Sequence, residues 1–280
     1  MPLLIPALLV GLFIAILIWR RLKALASQPL CGQVEYWIYN NIQRIPPTAA
    51  LMDAVVNKNP YNKPGQPAIT AREGILFSDI RLHMAVAKRE KNPEAFRPDL
   101  FEDHVEVTGD ILETLSNCTS LVTIQYSSNK PLPDSRHLQF TTHLADAVGR
   151  LTKGQLIYDT ITHHFWRPDE LAIALHADNY AERPELHLRV LWTETSEGCR
   201  ASTLGLKKVG RPELQTAWQE KDSEILTKTL LEMAARRLFE NKLDCLPMDL
   251  EVSGAQFTLR EASQANSVIT VQILRKLKLS

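Results

Sequence analysis

Hydrophobic residues are concentrated in one unbroken run near the start of the chain. Residues 3–19 contain no charged side chain, and Arg20, Arg21 and Lys23 follow almost directly. A helix of that length rises roughly 25 Å, slightly less than the ~30 Å hydrocarbon core of a bilayer. The run therefore predicts one transmembrane helix, so that residues 3–19 contact a lipid bilayer.

The basic residues Arg20, Arg21 and Lys23 predict the orientation of this helix. The alternative is a cleaved signal peptide, but such a peptide carries its positive charges before its apolar run. Positively charged flanks stay on the cytoplasmic side of a membrane. We therefore expect a single-pass signal anchor in the inner (cytoplasmic) membrane, with the N-terminus outside and the following domain in the cytoplasm.

Beyond the basic flank, strand-like and helix-like segments alternate irregularly. Leu121–Tyr126 is rich in β-branched residues, as strands are, and residues 196–198 form a hairpin turn. A helix that ends near Gly154 is expected to carry Asp146 and Arg150 on its outer face as a solvated ion pair. This pattern predicts an α+β fold: a domain with a mixed or largely antiparallel sheet and flanking helices, behind one N-terminal transmembrane helix.

Three regions are expected along the chain. Residues 1–27 form the anchor and its basic flank, residues 28–73 a stalk, and residues 74–280 a soluble α+β domain. The stalk is inferred from residues 59–67, which contain three prolines and one glycine and therefore disfavour helix.

Charge and composition exclude several classes of function. Lysine plus arginine and aspartate plus glutamate are both 32, so the chain lacks the basic surplus of a nucleic-acid-binding protein. The four cysteines are far apart and form no C-x-x-C pair. The chain also lacks a glycine-rich phosphate loop and a G-x-S-x-G serine motif, so we expect no metal or other cofactor.

One group of residues has the composition of a catalytic site. Asp159, His163 and His164 lie close together in the sequence, and Asp and His side chains can bind a metal or transfer a proton. However, His163 and His164 are neighbours and would point to opposite faces of a strand. We therefore expect a structural role for this group, with a membrane-tethered hydrolase as the alternative.

The most distinctive run of the soluble part is residues 203–214, TLGLKKVGRPEL. Its basic residues Lys207, Lys208 and Arg211 are candidates for binding an acidic partner. Together with Arg20, Arg21 and Lys23 they could also bind anionic lipid headgroups. The alternative is a tight turn, in which the glycines permit positive φ angles and the lysines are only solvated.

The pattern T-x-G-L-x-K-x-G-x-P-E-L of residues 203–214, with the strand Gln155–Asp159, resembles uncharacterised bacterial α+β proteins of unknown function. The resemblance covers residues 74–240. It implies a bacterial domain on the cytoplasmic side of the membrane, and it transfers no catalytic residue to this chain.

The expected function is that of a membrane-anchored accessory, assembly or scaffold protein, and not of an enzyme. Its cytoplasmic domain would bind a partner protein, expected to be another membrane protein. The alternatives are the hydrolase that uses Asp159, His163 and His164, and a module that binds anionic lipids.

Overall fold

The computed structural model describes most of the chain beyond its first thirty residues. The described residues are 31–97, 107–128, 130, 132, 134–178, 181–240, 245–265 and 267–276. The predicted transmembrane helix at residues 3–19 and its flank of Arg20, Arg21 and Lys23 lie outside them.

Eleven strands form two sheets in the described ranges, and the first sheet has five strands, all antiparallel. Its strand order is β2-β3-β1-β4-β5. The strands are β1 Gln33–Asn40, β2 Leu82–Lys88, β3 Ser120–Ser127, β4 Leu156–Asp159 and β5 His164–Trp166.

The second sheet has six strands in the order β6-β7-β8-β11-β10-β9. Strands β8 and β11 pair in parallel, and the other neighbours pair antiparallel. The strands are β6 Arg189–Thr195, β7 Gly198–Leu204, β8 Glu213–Thr216, β9 Met248–Val252, β10 Ala255–Ala265 and β11 Val268–Arg275.

Seven α-helices surround the sheets in the described part of the chain. They are α1 Thr48–Met52, which a π-helix at Asp53–Asn57 continues, α2 Ala71–Phe77, α3 Gly109–Asn117, α4 Arg136–Thr152, α5 Pro168–Asp178, α6 Pro184–His187 and α7 Glu224–Glu240. Helix α4 packs on β1, β3 and β4, whereas α7 packs mainly on β6, β7 and β9.

The predicted fold class was wrong. It expected a transmembrane helix followed by a domain with one sheet, and the structure is α+β with two sheets and seven helices. Among the described helices, none has both the length and the apolar character needed to cross a membrane. The sequence pattern located strands but not their partners, because pairing such as that of β8 with β11 joins residues distant in the chain.

The segment expected to be a stalk contributes to the centre of the fold. Strand β1, from residues 28–73, lies between β3 and β4 in the first sheet. Its side chains Val34, Tyr36 and Ile38 belong to the main hydrophobic core. Residues 33–73 are therefore placed within the folded body.

The helix α4 is almost completely buried, which corrects the expected solvated ion pair of Asp146 and Arg150. Asp146 is only 3% exposed. Its carboxylate accepts hydrogen bonds from the Tyr61 hydroxyl at 2.9 Å and from Arg150 Nε at 2.8 Å. The helix has the first sheet on one side and α1, α2, α5 and the π-helix on others, so it has no broad solvent face.

Candidate binding cleft and buried lysine site

The short helix α2 forms one wall of a surface cleft. Its start is fixed by a capping box, in which Thr70 Oγ1 accepts the Glu73 N–H while Glu73 accepts the Thr70 N–H at 2.8 Å. Gly74 lets the helix approach the Met52 side chain closely, since an added Cβ would lie 2.5 Å from Met52 Cε. Phe77 packs inward against Phe140, with ring centroids 5.9 Å apart.

The cleft has a volume of about 520 Å³ and combines charged and apolar side chains. This volume is in the range of pockets that bind small molecules or short peptide segments. The cleft is lined by Thr70, Arg72, Glu73, Leu76, Phe77, Arg81, Tyr126, Leu132, Asp134 and Arg136.

Most charges around the cleft already have partners. Arg136 contacts Glu73 and, at 3.6 Å, Glu182. Arg81 is held by Asp79, which also accepts the Arg81 main-chain N–H at 2.9 Å. Arg72 is exposed and makes no ion pair with any residue in the described ranges. The cleft therefore has paired charges that shape it and one arginine available to a ligand.

The Tyr126 hydroxyl is a hydrogen-bonding group without a hydrogen-bond partner among the described residues. Tyr126 is 1% exposed, and its ring contacts Phe77 with centroids 6.2 Å apart. Burial raises the pKa of Tyr126, although the nearby Arg81 opposes this. The phenol therefore keeps its proton and can donate to an acceptor on a ligand bound in the cleft.

Next to the cleft, three large aliphatic side chains are exposed to solvent. Ile75 is 74% exposed, Leu76 53% and Ile80 90%. We call these three residues the α2–β2 surface, because they lie on α2 and on the turn that leads into β2. Ile75 and Leu76 are adjacent in α2, and exposed apolar side chains that form a contiguous patch are a feature of interaction sites.

The residues that the sequence marked as a basic binding loop are not brought together on one exposed face. Lys208 is completely buried, and its ammonium group is ion-paired with the equally buried Asp159. Lys207 and Arg211 are half-buried. Lys208 therefore cannot reach an acidic partner or a headgroup at the surface, and binding by Lys207 and Arg211 stays a prediction.

The Lys208 ammonium group has two further neighbours. It lies 3.1 Å from His187 Nδ1 and 5.5 Å from the centre of the Tyr36 ring. The other His187 nitrogen, Nε2, donates to the Ala181 carbonyl at 2.6 Å, which leaves Nδ1 to accept. Burial and, secondly, Lys208 lower the pKa of His187 well below its usual value, so this ring is neutral.

The distinctive run 203–214 builds the turn that places Lys208. Gly205 has φ +113°, and a Cβ there would lie 1.7 Å from the His187 carbonyl oxygen. The buried Glu213 carboxylate accepts hydrogen bonds from the Gly205 N–H at 2.9 Å, the Lys207 N–H at 3.1 Å and the Thr203 hydroxyl at 2.8 Å. The run therefore folds one backbone turn and fixes one buried lysine.

Of the predicted hydrolase residues, Asp159 and His164 are neighbours across β4 and β5, whereas the His163 ring contacts Tyr158. Asp159 is bound by Lys208, whereas the His163 ring lies 2.8 Å from the Tyr158 hydroxyl, with its main chain at φ +52°. His164 pairs with Asp159 in the β4–β5 register, and burial lowers the pKa of His164. Within the described ranges, no three His, Cys, Asp or Glu side chains are grouped to hold a metal ion.

The cleft itself was missed by the sequence analysis. Tyr126 was correctly placed at the end of a strand, but the sequence gives no sign that its hydroxyl lacks a partner. Adjacent apolar residues such as Ile75 and Leu76 can both face the core of a helix, so the sequence did not indicate that both would be exposed.

Comparisons with protein-family models, with curated proteins and with solved structures found no match to this chain. The resemblance to uncharacterised bacterial α+β proteins stays a prediction.

Proposed function

We propose that this chain is an accessory or assembly protein that binds a partner protein through the α2–β2 surface and the adjoining cleft. The single observation that carries the proposal is the exposure of Ile75, Leu76 and Ile80 beside an open cleft. The proposal rests on these described residues and makes no use of the region before residue 31.

Burial of the α2–β2 surface would supply much of the binding energy. Covering an exposed aliphatic side chain completely gains about 1.5–3 kcal/mol, so three such residues can dominate a small interface. A cleft of about 520 Å³ beside them can accept a side chain or a short segment of the partner. Residues that dominate an interface cluster where partner side chains fill well-packed pockets that exclude water.

The polar groups of the cleft would supply specificity. The Arg72 side chain and the Tyr126 hydroxyl have no polar partner in the part of the chain that the structure describes, and both can donate a hydrogen bond, so they favour an acceptor on the partner. The fixed pair of Arg136 and Glu73 holds the cleft in one shape without the partner. Binding through such a preformed site requires little rearrangement of this chain.

A binding measurement with surface variants tests the proposal. The full chain is used to isolate its partner from cells that produce both, and the affinity of the purified partner is then measured by calorimetry. We expect the double variant Ile75→Glu/Ile80→Glu to weaken binding at least about tenfold, which corresponds to ~1.4 kcal/mol.

The matched control is Ile173→Glu/Ile225→Glu. Ile173 lies on α5 and is 69% exposed, and Ile225 lies on α7 and is 83% exposed, so this variant introduces the same two charges at exposed isoleucines elsewhere. The control should bind like the unchanged protein, and thermal melting should show all three proteins folded. Equal affinity of the double variant and the unchanged protein would refute the proposed site.

A further inference from the structure

We propose that the partner binds as an extended strand that pairs with the outer edge of β2. This inference rests on the proposed function and specifies the shape and chemistry of the bound segment. Strand β2 is at the edge of the first sheet, and no described strand pairs with its outer side. It follows directly on the turn that contains Ile80.

The main-chain hydrogen bonds identify which residues of β2 face outward. The Ser127 N–H donates to the Arg81 carbonyl, and the Arg89 N–H donates to the Thr119 carbonyl at 2.9 Å. In an antiparallel pair, every second residue bonds to the neighbouring strand. The odd-numbered residues of β2 therefore bond to β3, and the N–H and C=O groups of Met84 and Val86 point outward.

On the core-facing side of β2, the described residues cover the side chains only in part. Leu82, Met84 and Val86 face the main hydrophobic core, but each remains partly exposed. An added strand would bring its own apolar side chains beside these three on the same face of the sheet. One occupant thus bonds to the outward main-chain groups of Met84 and Val86, which have no partner among the described residues, and covers the partly exposed side chains.

Charge distinguishes a partner segment from a second copy of this chain. Lys88 ends β2, Arg89 follows it, and Arg81 precedes it. The Arg89 guanidinium is bound only by neutral groups in the described ranges, namely the Cys118 and Leu115 carbonyls and the Phe96 ring. Two copies of β2 paired antiparallel about their centre would place Arg81 of each, which Asp79 already pairs, beside Arg89 of the other, and β2 itself contains no acidic residue that could meet Arg89.

The favoured occupant is therefore an apolar segment of a different protein, with an acidic residue beside Lys88 and Arg89. Strand addition of this kind is a recognised mode of peptide binding, in which main-chain bonds give affinity and alternate side chains give specificity. The β2 edge carries no proline or acidic residue between Leu82 and Lys88 that would block it.

The test uses a random peptide library displayed with free N-termini and selected on the immobilised full chain. Selected peptides are synthesised with amidated C-termini, and their main-chain nitrogens are methylated one at a time. We expect selected peptides to be apolar with at least one Asp or Glu. Methylation at alternate residues should weaken binding by about tenfold or more, whereas methylation between them should have little effect.

Two variants of the chain test the same edge. Met84→Pro removes the outward N–H while the bonds between β2 and β3 remain, because proline is tolerated on the open side of edge strands. Met84→Ala removes the same side chain and keeps the N–H. We expect Met84→Pro to bind the peptides about tenfold more weakly than Met84→Ala, with both variants folded by circular dichroism.

The outcomes separate this inference from the proposed function. Strand addition alone would be overturned by peptides whose binding requires Ile75 and Ile80 but is equally sensitive to methylation at every residue and is unaffected by Met84→Pro. Strand addition would also be overturned if no selected peptide depended on Ile80 or Met84. The proposed function would be overturned separately if Ile75→Glu/Ile80→Glu bound the partner protein as tightly as the unchanged chain does. Alternating sensitivity without acidic enrichment would overturn the charge assignment.

Discussion

At the scale of single residues, the ion pair of Lys208 and Asp159 is the most consequential contact. Both side chains are completely buried, so neither charge is stabilised by water. Burial lowers the pKa of Lys208, and the neighbouring Asp159 carboxylate opposes that shift. Such a pair adds little stability compared with apolar residues of the same size, but either charge left alone is costly.

Removing the Lys208 charge alone should therefore be strongly destabilising. We expect Lys208→Met to lower the free energy of unfolding by about 3–5 kcal/mol, measured by urea denaturation, because it leaves Asp159 buried without a counter-ion. The control Lys207→Met should change it by less than about 0.5 kcal/mol, since the Lys207 side chain makes no described ion pair.

The double variant Lys208→Met/Asp159→Leu completes this test. Because the second change removes the Asp159 carboxylate, which Lys208→Met leaves buried without a counter-ion, the double variant should be more stable than Lys208→Met alone. Asp159→Leu alone is measured as well, and a loss in the double variant equal to the sum of the two single losses would show that the two charges do not interact.

Buried histidines should make stability depend on pH. Burial lowers the pKa of His143 to about 3, and its ring lies between the amide nitrogens of Asn59 and Gln139, which offer no acceptor for an added proton. In the unfolded chain a histidine titrates near about 6.5. Below that pH the unfolded state binds a proton that the folded state does not, so acid lowers stability.

The expected effect of His143→Gln is a smaller acid dependence. Between about pH 6 and pH 4, the free energy of unfolding should fall less steeply in the variant than in the unchanged protein. The two slopes should differ by up to about 1.4 kcal/mol per pH unit. Urea denaturation at several pH values measures both slopes, which removes any constant offset between the proteins. Identical slopes would show that His143 is protonated in the folded state.

At the scale of elements, the run 203–214 shows what a sequence pattern can and cannot predict. Its glycines correctly indicated a tight turn, because Gly205 and Gly210 both have positive φ. The charge of Lys208 indicated a solvated side chain, because lysines are almost never fully buried without a partner. That partner, Asp159, is 49 residues away in the chain. Local sequence carries no signal for such a contact.

Two glycine substitutions should distinguish destabilisation by a steric clash from destabilisation by an unfavourable backbone conformation. Gly205→Ala would place a Cβ 1.7 Å from the His187 carbonyl oxygen, so we expect several kcal/mol of destabilisation or no folded protein. Gly254 also has positive φ, at +77°, but an added Cβ meets nothing within 4 Å. Gly254→Ala should therefore cost only about 1 kcal/mol, from backbone strain alone.

Thermal melting of both glycine variants provides the measurement. Equal melting temperatures for Gly205→Ala and Gly254→Ala would mean that the approach of the His187 carbonyl is not rigid.

The elements themselves were predicted more successfully than their surroundings. The pattern of Leu121–Tyr126 matched β3, and the helix expected before Gly154 matched α4. Burial of α4 on nearly all sides was not predictable, because its polar residues suggested an exposed face. Asp146 and His143 are instead accommodated by hydrogen bonds from other elements.

At the scale of the whole molecule, the two sheets are joined by a continuous core and by the buried lysine. Lys208 lies in the turn between β7 and β8 of the second sheet, whereas Asp159 ends β4 of the first. The His137 ring contacts the Lys208 carbonyl oxygen at 2.7 Å and so adds a contact from α4. The contacts of Lys208 therefore join the first sheet, the second sheet and α4. They stabilise the fold, whereas the exposed α2–β2 surface is proposed to bind the partner.

Hydrogen exchange of the full chain with its purified partner tests the central claim most directly. Partner binding should slow amide exchange in α2 and β2, and mainly in the segments 71–77 and 82–88. Exchange in α5 around the equally exposed Ile173 should not change. Protection at other surfaces, with α2 and β2 exchanging as in the free protein, would contradict binding through the α2–β2 surface.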